Sequence, residues 1–117
     1  MSPWYFNPHS GGSRIPDKIQ DETRKRILKE AERAGYASKG YRIDVRFRNQ
    51  FCYIDALKSG EEVPTHLCRL RWSEGPKSWS LAFYSYANET YKPCVYGSGD
   101  WHGTPEEALK IGSVYLN

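Results

Sequence analysis

Arginine, aspartate and tyrosine recur at every second position in three stretches of this chain, and that spacing decides what they can do together. Arg42, Asp44, Arg46 and Arg48 alternate with Ile43, Val45 and Phe47. Tyr53 and Asp55 alternate with Cys52, Ile54 and Ala56, and Arg69 and Arg71 alternate with Cys68, Leu70 and Trp72. A period of two belongs to a strand, so each set gathers on one face of a sheet. Guanidinium forks and phenol rings on a common face suit a phosphate backbone or stacked bases. The carboxylate pair Asp44 and Asp55 suits general acid–base work or a metal ion. The same residues also suit an Arg–Asp ladder on a solvated or covered sheet face, with no further role. So many arginines beside the carboxylates argue against a cation there, and no metal site and no cofactor is expected.

The hairpin register is testable by this sorting. A two-residue Asn49-Gln50 loop pairs Arg48 with Phe51, Phe47 with Cys52, Val45 with Ile54 and Asp44 with Asp55. A slip of one residue would set arginines against core residues. Two carboxylates directly opposite repel, so Arg42, Arg46 and one of Arg69 or Arg71 are expected to neutralise them.

Several elements must position these groups. Residues 1–15, with Pro3, Pro8, three aromatic rings and Ser10-Gly11-Gly12-Ser13, read as an irregular arm lying across the domain. Residues 16–34 read as a helix that starts at Pro16-Asp17 and stops at Gly35, with Ile19, Thr23, Ile27, Leu28 and Ala31 on its apolar stripe. Asp21–Lys25 and Glu22–Arg26 stand at the i,i+4 spacing of helix ion pairs. The sheet is expected over 41–96, with a loop at 59–66, a turn at 73–77 and a last short strand at 91–96. In the fourth strand either Trp79, Leu81 and Phe83 or Ala82, Tyr84 and Tyr86 turn inward; the first set is preferred because it is apolar throughout. Residues 104–116 read as a helix with Thr104 as N-cap, Pro105 in the first turn and Glu107 completing a capping box. Gly112 on its apolar stripe implies close packing on the sheet. The whole is a single α+β domain, a four- to five-stranded antiparallel meander with an N-terminal and a C-terminal helix on one face.

Composition excludes more than it selects. The 117 residues carry 26% charged and 38% apolar side chains, an ordinary globular balance. Net charge is +3, too mild to imply nucleic acid by itself. It is uneven, with 12 basic and 7 acidic residues in 1–58 against 5 and 7 in 59–117. The aromatic share of 15% is high. No stretch has the length and apolarity of a membrane span, and the first residues lack the pattern of a signal peptide. Cys52, Cys68 and Cys94 are an odd count without a Cys-x-x-Cys pair, which points to reduced, buried thiols in a cytoplasmic protein.

Weaker constellations are present. By alternation His66 and Cys68 share a strand face, and with Cys52 and Cys94 they sketch a zinc site or a Cys–His pair, but without the tight two-residue ligand spacing. The loop Gly97 to Gly103 ends at a helix N-terminus yet lacks the spacing and lysine of a phosphate loop. The helix face with Arg24, Lys25, Arg26, Lys29 and Arg33 is basic, but interleaved acids make it a solvated face.

The strings YFNPHSGG, RIDVRFRNQFCYIDA, HLCRLRW, WSLAFYSY and GTPEEAL, spread over nearly the whole chain, resemble a family of small bacterial hypothetical proteins. That resemblance implies a bacterial cytosolic origin and transfers no functional residue. The layout of the last strands and helix is also similar to the plant ethylene-response DNA-binding domain and to the double-stranded-RNA-binding domain, as fold analogies only. The leading functional expectation is a non-enzymatic binding module that meets nucleic acid or an acidic protein with Arg42, Arg46, Arg48, Tyr53, Arg69 and Arg71. The alternative is a small hydrolase-like enzyme using Asp44 and Asp55, with His9 or His102 supplied by the loops. A homodimer through the same face is a third possibility. The binding expectation requires those arginines to project into solvent together.

Overall fold

The computed structural model describes residues 12–73 and 79–116. Helix α1 (Asp17–Ala34) is followed by a 3-10 turn, Tyr36–Lys39, and then by strands β1 (Tyr41–Arg48), β2 (Phe51–Lys58), β3 (Thr65–Trp72), β4 (Trp79–Ser85) and β5 (Thr90–Cys94). A two-residue strand β6 (His102–Gly103) precedes helix α2 (Pro105–Gly112), which ends in a 3-10 turn, Ser113–Leu116. The strands lie in the order β1-β2-β3-β4-β5, all antiparallel, and β6 pairs with β4 beyond the end of β5. Both helices pack on one face of this sheet and on each other. The protein is thus α+β, a meander sheet with its N-terminal and C-terminal helices on the same side.

The hairpin at Asn49-Gln50 has the expected register, with Asp44 opposite Asp55 and Arg48 opposite Phe51. Asn49 has φ 53°, while Gln50 does not enter the left-handed region. One positive φ at the first loop position matches a hairpin turn that follows the strand twist, and Asn is among the residues that tolerate it. At the end of α1, Gly35 adopts φ 76° and its N–H closes on the carbonyls of Ala31 and Glu32. This is the left-handed stop that glycine supplies without a Cβ penalty.

The core lies between helices and sheet. Ile27 and Ala31 of α1 and Ala108 and Leu109 of α2 meet Ile43, Val45, Cys52, Ile54, Leu70 and Leu81 there. In β4, Trp79 and Leu81 turn inward and Phe83 stacks on Tyr115, with ring centroids 5.0 Å apart. Ile15, from the last residues of the arm, is fully buried, and its N–H donates to the Asn49 carbonyl. Residues 1–11 and the turn expected near 73–77, beyond Ser73, lie outside the described residues.

Four details differ from the sequence reading. Leu28 is exposed, because the buried stripe of α1 runs through Thr23, Ile27, Glu30 and Ala31. Arg26 forms two hydrogen bonds with Glu106 of α2, at 2.8 and 2.7 Å, in place of the pairing with Glu22. A bidentate fork across two helices fixes their spacing better than a pair within one turn. The last long strand ends at Cys94, which lets Tyr96 turn into the core and donate to the Trp79 carbonyl at 2.8 Å. The segment before α2, expected to be loop, contributes β6, whose Gly103 lies opposite Trp79.

The capping box of α2 is present, with Thr104 accepting from the Glu107 N–H and the Glu107 side chain accepting from the Thr104 N–H. Gly112 packs closely on the sheet: a Cβ there would stand 3.0 Å from Leu67 Cβ and 3.3 Å from Cys68 Sγ. Gly103 is tighter, since a Cβ would come within 2.6 Å of the Tyr96 ring. Gly103→Ala is therefore expected to destabilise the fold by about 1–3 kcal/mol through overpacking, measured as a lower urea midpoint at unchanged slope.

Candidate functional site

The helix-free face of the sheet is built by alternation and by one break in it. In β3 the pairing with β2 shifts between Ile54 and Asp55: Ile54 faces Cys68, but Asp55 faces His66. Leu67 is the extra residue of a bulge, and both Leu67 and Cys68 are fully buried in the core. A bulge that sends two successive side chains inward reverses the parity of the strand before it. His66 is therefore on the helix-free face beside Asp55, and not on the face of Cys68 as strict alternation predicts. That removes the zinc and Cys–His arrangements. Cys52 and Cys68 are buried free thiols, and burial pushes the pKa of each well above the ordinary thiol range. No group of three His, Cys, Asp or Glu close enough to hold a metal occurs among the described residues.

Asp55 is the centre of the face. Its carboxylate is only 2% exposed; it accepts a hydrogen bond from Arg46 Nη2 at 3.0 Å on one oxygen and meets His66 Nδ1 at 2.9 Å on the other. Asp44, opposite Asp55 in the register, is half exposed and lies 3.8 Å from Arg46 Nε. Arg46 thus pairs with both carboxylates, as expected, while Arg42, also expected there, forms no ion pair among the described residues. Facing a carboxylate, His66 Nδ1 carries the proton, which leaves Nε2 as an acceptor in the neutral ring. The His66 ring packs on Tyr84 with centroids 4.9 Å apart. The Tyr86 hydroxyl accepts from the His66 N–H at 2.6 Å and donates to the His66 carbonyl at 3.3 Å.

The expected binding residues divide. Arg42, Arg46 and Arg48 of the edge strand β1 are exposed, and Tyr53 is partly so. Arg69 and Arg71 are not presented to solvent: they are 7% and 6% exposed. The Arg69 guanidinium lies 4.1 Å from the Phe51 ring centroid, 4.8 Å from that of Tyr91 and 5.9 Å from that of Tyr53. Arg71 Nε donates to Ser80 Oγ at 3.2 Å. Both sit on β3, with a strand on either side; rings of β2 and β5 lie over Arg69, and Gly12 lies against Arg71, where a Cβ on the glycine would stand 2.8 Å from Arg71 Cγ. Burial, reinforced by the Asp55 charge, raises the Tyr91 phenol above its usual range. Tyr84 and Tyr91 are cross-strand partners with ring centroids 5.0 Å apart, an edge-to-face contact.

Two groups named in the sequence reading stand where it did not place them. His66 is hidden by the bulge; the signal available was Leu67-Cys68, two adjacent apolar residues that break the period. Arg24 of α1 passes round the edge of β1, donating to the Val45 carbonyl at 3.3 Å with its guanidinium 5.1 Å from the Phe47 ring centroid. The hydrolase reading needs a histidine near both carboxylates. His66 meets Asp55 alone, His102 lies on β6 opposite Ser80, and His9 is outside the described residues.

Because Asp55 links β1 and β3 through charged hydrogen bonds, Asp55→Asn is expected to cost about 1–3 kcal/mol of stability, read by chemical denaturation. An unchanged midpoint would mean that the Arg46 and His66 contacts contribute nothing net. Comparison with known proteins adds no relative: no family model, no curated protein and no solved structure matches the chain.

Proposed function

We propose that the protein is a non-enzymatic binding module and that the exposed strip along β1 and β2 holds single-stranded nucleic acid. One observation carries the reading. The side chains of Arg42 and Arg48, exposed on the sheet edge, have neither an ion pair nor a hydrogen bond among the described residues, and Arg46 stacks beside them on the Tyr53 ring at 5.2 Å. Guanidinium groups with no internal partner are available to phosphates, and a partly open phenol ring beside them is a platform for a base. An unpaired strand suits this strip better than a duplex, since only splayed bases can stack on the ring. Arg69, on the adjoining strand, packs against the Phe51 and Tyr53 rings beside the strip.

The strip should bind a deoxythymidine or uridine oligonucleotide with an affinity that falls as salt rises, at a logarithmic slope of about −2 for three phosphate contacts. Arg42→Ala and Arg48→Ala should each reduce that slope by about 0.7. Fluorescence anisotropy over a range of salt concentrations checks this, and affinity that ignores salt or both substitutions refutes it.

Acid–base catalysis is a second reading, favoured by the Asp55–His66 hydrogen bond that orients the imidazole. It predicts slow hydrolysis of ester or phosphodiester substrates that His66→Gln or Asp55→Asn reduces at least about 100-fold, the usual contribution of a positioned acid or base. Turnover that survives both substitutions discards it.

A further inference from the structure

We infer that Arg24, Arg46 and Arg48 together form a phosphate seat at the open edge of β1, with Tyr53 as the adjoining base platform. The inference rests on the binding reading for its ligand class, and adds a residue from the helical side of the sheet that the strip alone would not include. Arg24, Val45, Arg46, Phe47, Arg48 and Tyr53 line one open hollow of about 620 Å³ at the edge strand. Arg46 and Arg48 enter it from the helix-free face, and Arg24 enters from α1 on the other side.

The charge balance is what distinguishes this hollow. Arg24 has no carboxylate partner among the described residues; its contacts are the Val45 carbonyl and the Phe47 ring. Those contacts hold the guanidinium in place without cancelling its charge, so part of its side-chain entropy is already lost before a ligand arrives. Arg48 has no ion pair among the described residues. Arg46 shares Asp55 and Asp44 but is 55% exposed, and Asp55 is also engaged by His66. By contrast, the larger hollow between the helices, about 680 Å³, has Arg26 committed to Glu106 and Arg33 to Glu30. Three planar forks lining one hollow suit the tetrahedral oxygens of a phosphate better than a carboxylate or an apolar ligand. β1 is the end of the sheet order, so among the described residues no strand lies across the seat.

The test follows the arginine Nε–H resonances of the full chain by NMR. It uses three titrants: inorganic phosphate, a nucleoside 5′-monophosphate and a ten-residue oligothymidylate. Saturable shifts of Arg24 and Arg48 with the nucleotide and the oligonucleotide are expected, together with about a ten-fold weaker oligonucleotide affinity in Arg24→Gln. Arg48→Gln, at an exposed position, should weaken it similarly and guards against a folding defect in the Arg24 variant. Oligonucleotide binding that leaves Arg24 unmoved overturns the seat while the binding reading stands. Saturable shifts with phosphate and mononucleotide alone support the seat and overturn the nucleic-acid reading. Silence with all three titrants overturns both.

Discussion

A carboxylate that is almost wholly removed from water must be held by donors, and the arrangement of this sheet follows from how Asp55 is held. Arg46 supplies one donor from β1 and His66 the other from β3, so a single side chain on β2 ties three strands together. Leaving such a group without partners would cost more than the net value of the bonds it makes. The hairpin register puts Asp44 directly opposite, and without Arg46 between them the two carboxylates would repel.

The His66 contact depends on events on the other side of the sheet. α2 approaches β3 closely because Gly112 has no side chain, and it meets Leu67 and Cys68 there. Both of those residues face inward only because the strand bulges, and the bulge is what turns His66 toward Asp55. A glycine on a helix, two adjacent apolar residues on a strand and a buried acid on its neighbour are therefore one unit. A tighter helix–sheet contact and a cross-strand hydrogen bond come from the same extra residue.

Position within the sheet also explains why chemically equal arginines have different fates. On β3 each arginine has a strand on both sides, and aromatic rings close over Arg69 while Ser80 accepts from Arg71. A guanidinium surrounded by ring faces keeps its charge but is unavailable to a large ligand. On β1, at the sheet edge, Arg42 and Arg48 have no side-chain partner among the described residues. Exposed edges invite pairing with other chains, and here Arg24 occupies the Val45 carbonyl while alternating charges cover the strand.

Local chemistry in the sequence determined the elements: the Thr104–Glu107 capping box, the Gly35 stop, the Asn49-Gln50 hairpin and the inward set of β4 were all legible because each depends on a few adjacent residues. The two faces of the sheet were legible too, apart from His66 beyond the β3 bulge, since a strand's period of two is a local property. Tertiary structure alone decided which polar residues on the helix-free face remain accessible, because the cover over Arg69 and Arg71 comes from residues distant in sequence, with the Tyr91 ring over the first and Gly12 against the second. It alone brought Arg24 round the edge of β1. It also set His66 against Asp55, since a bulge is selected by the space beneath a helix packed forty residues further along the chain, and no periodicity within β3 encodes that space.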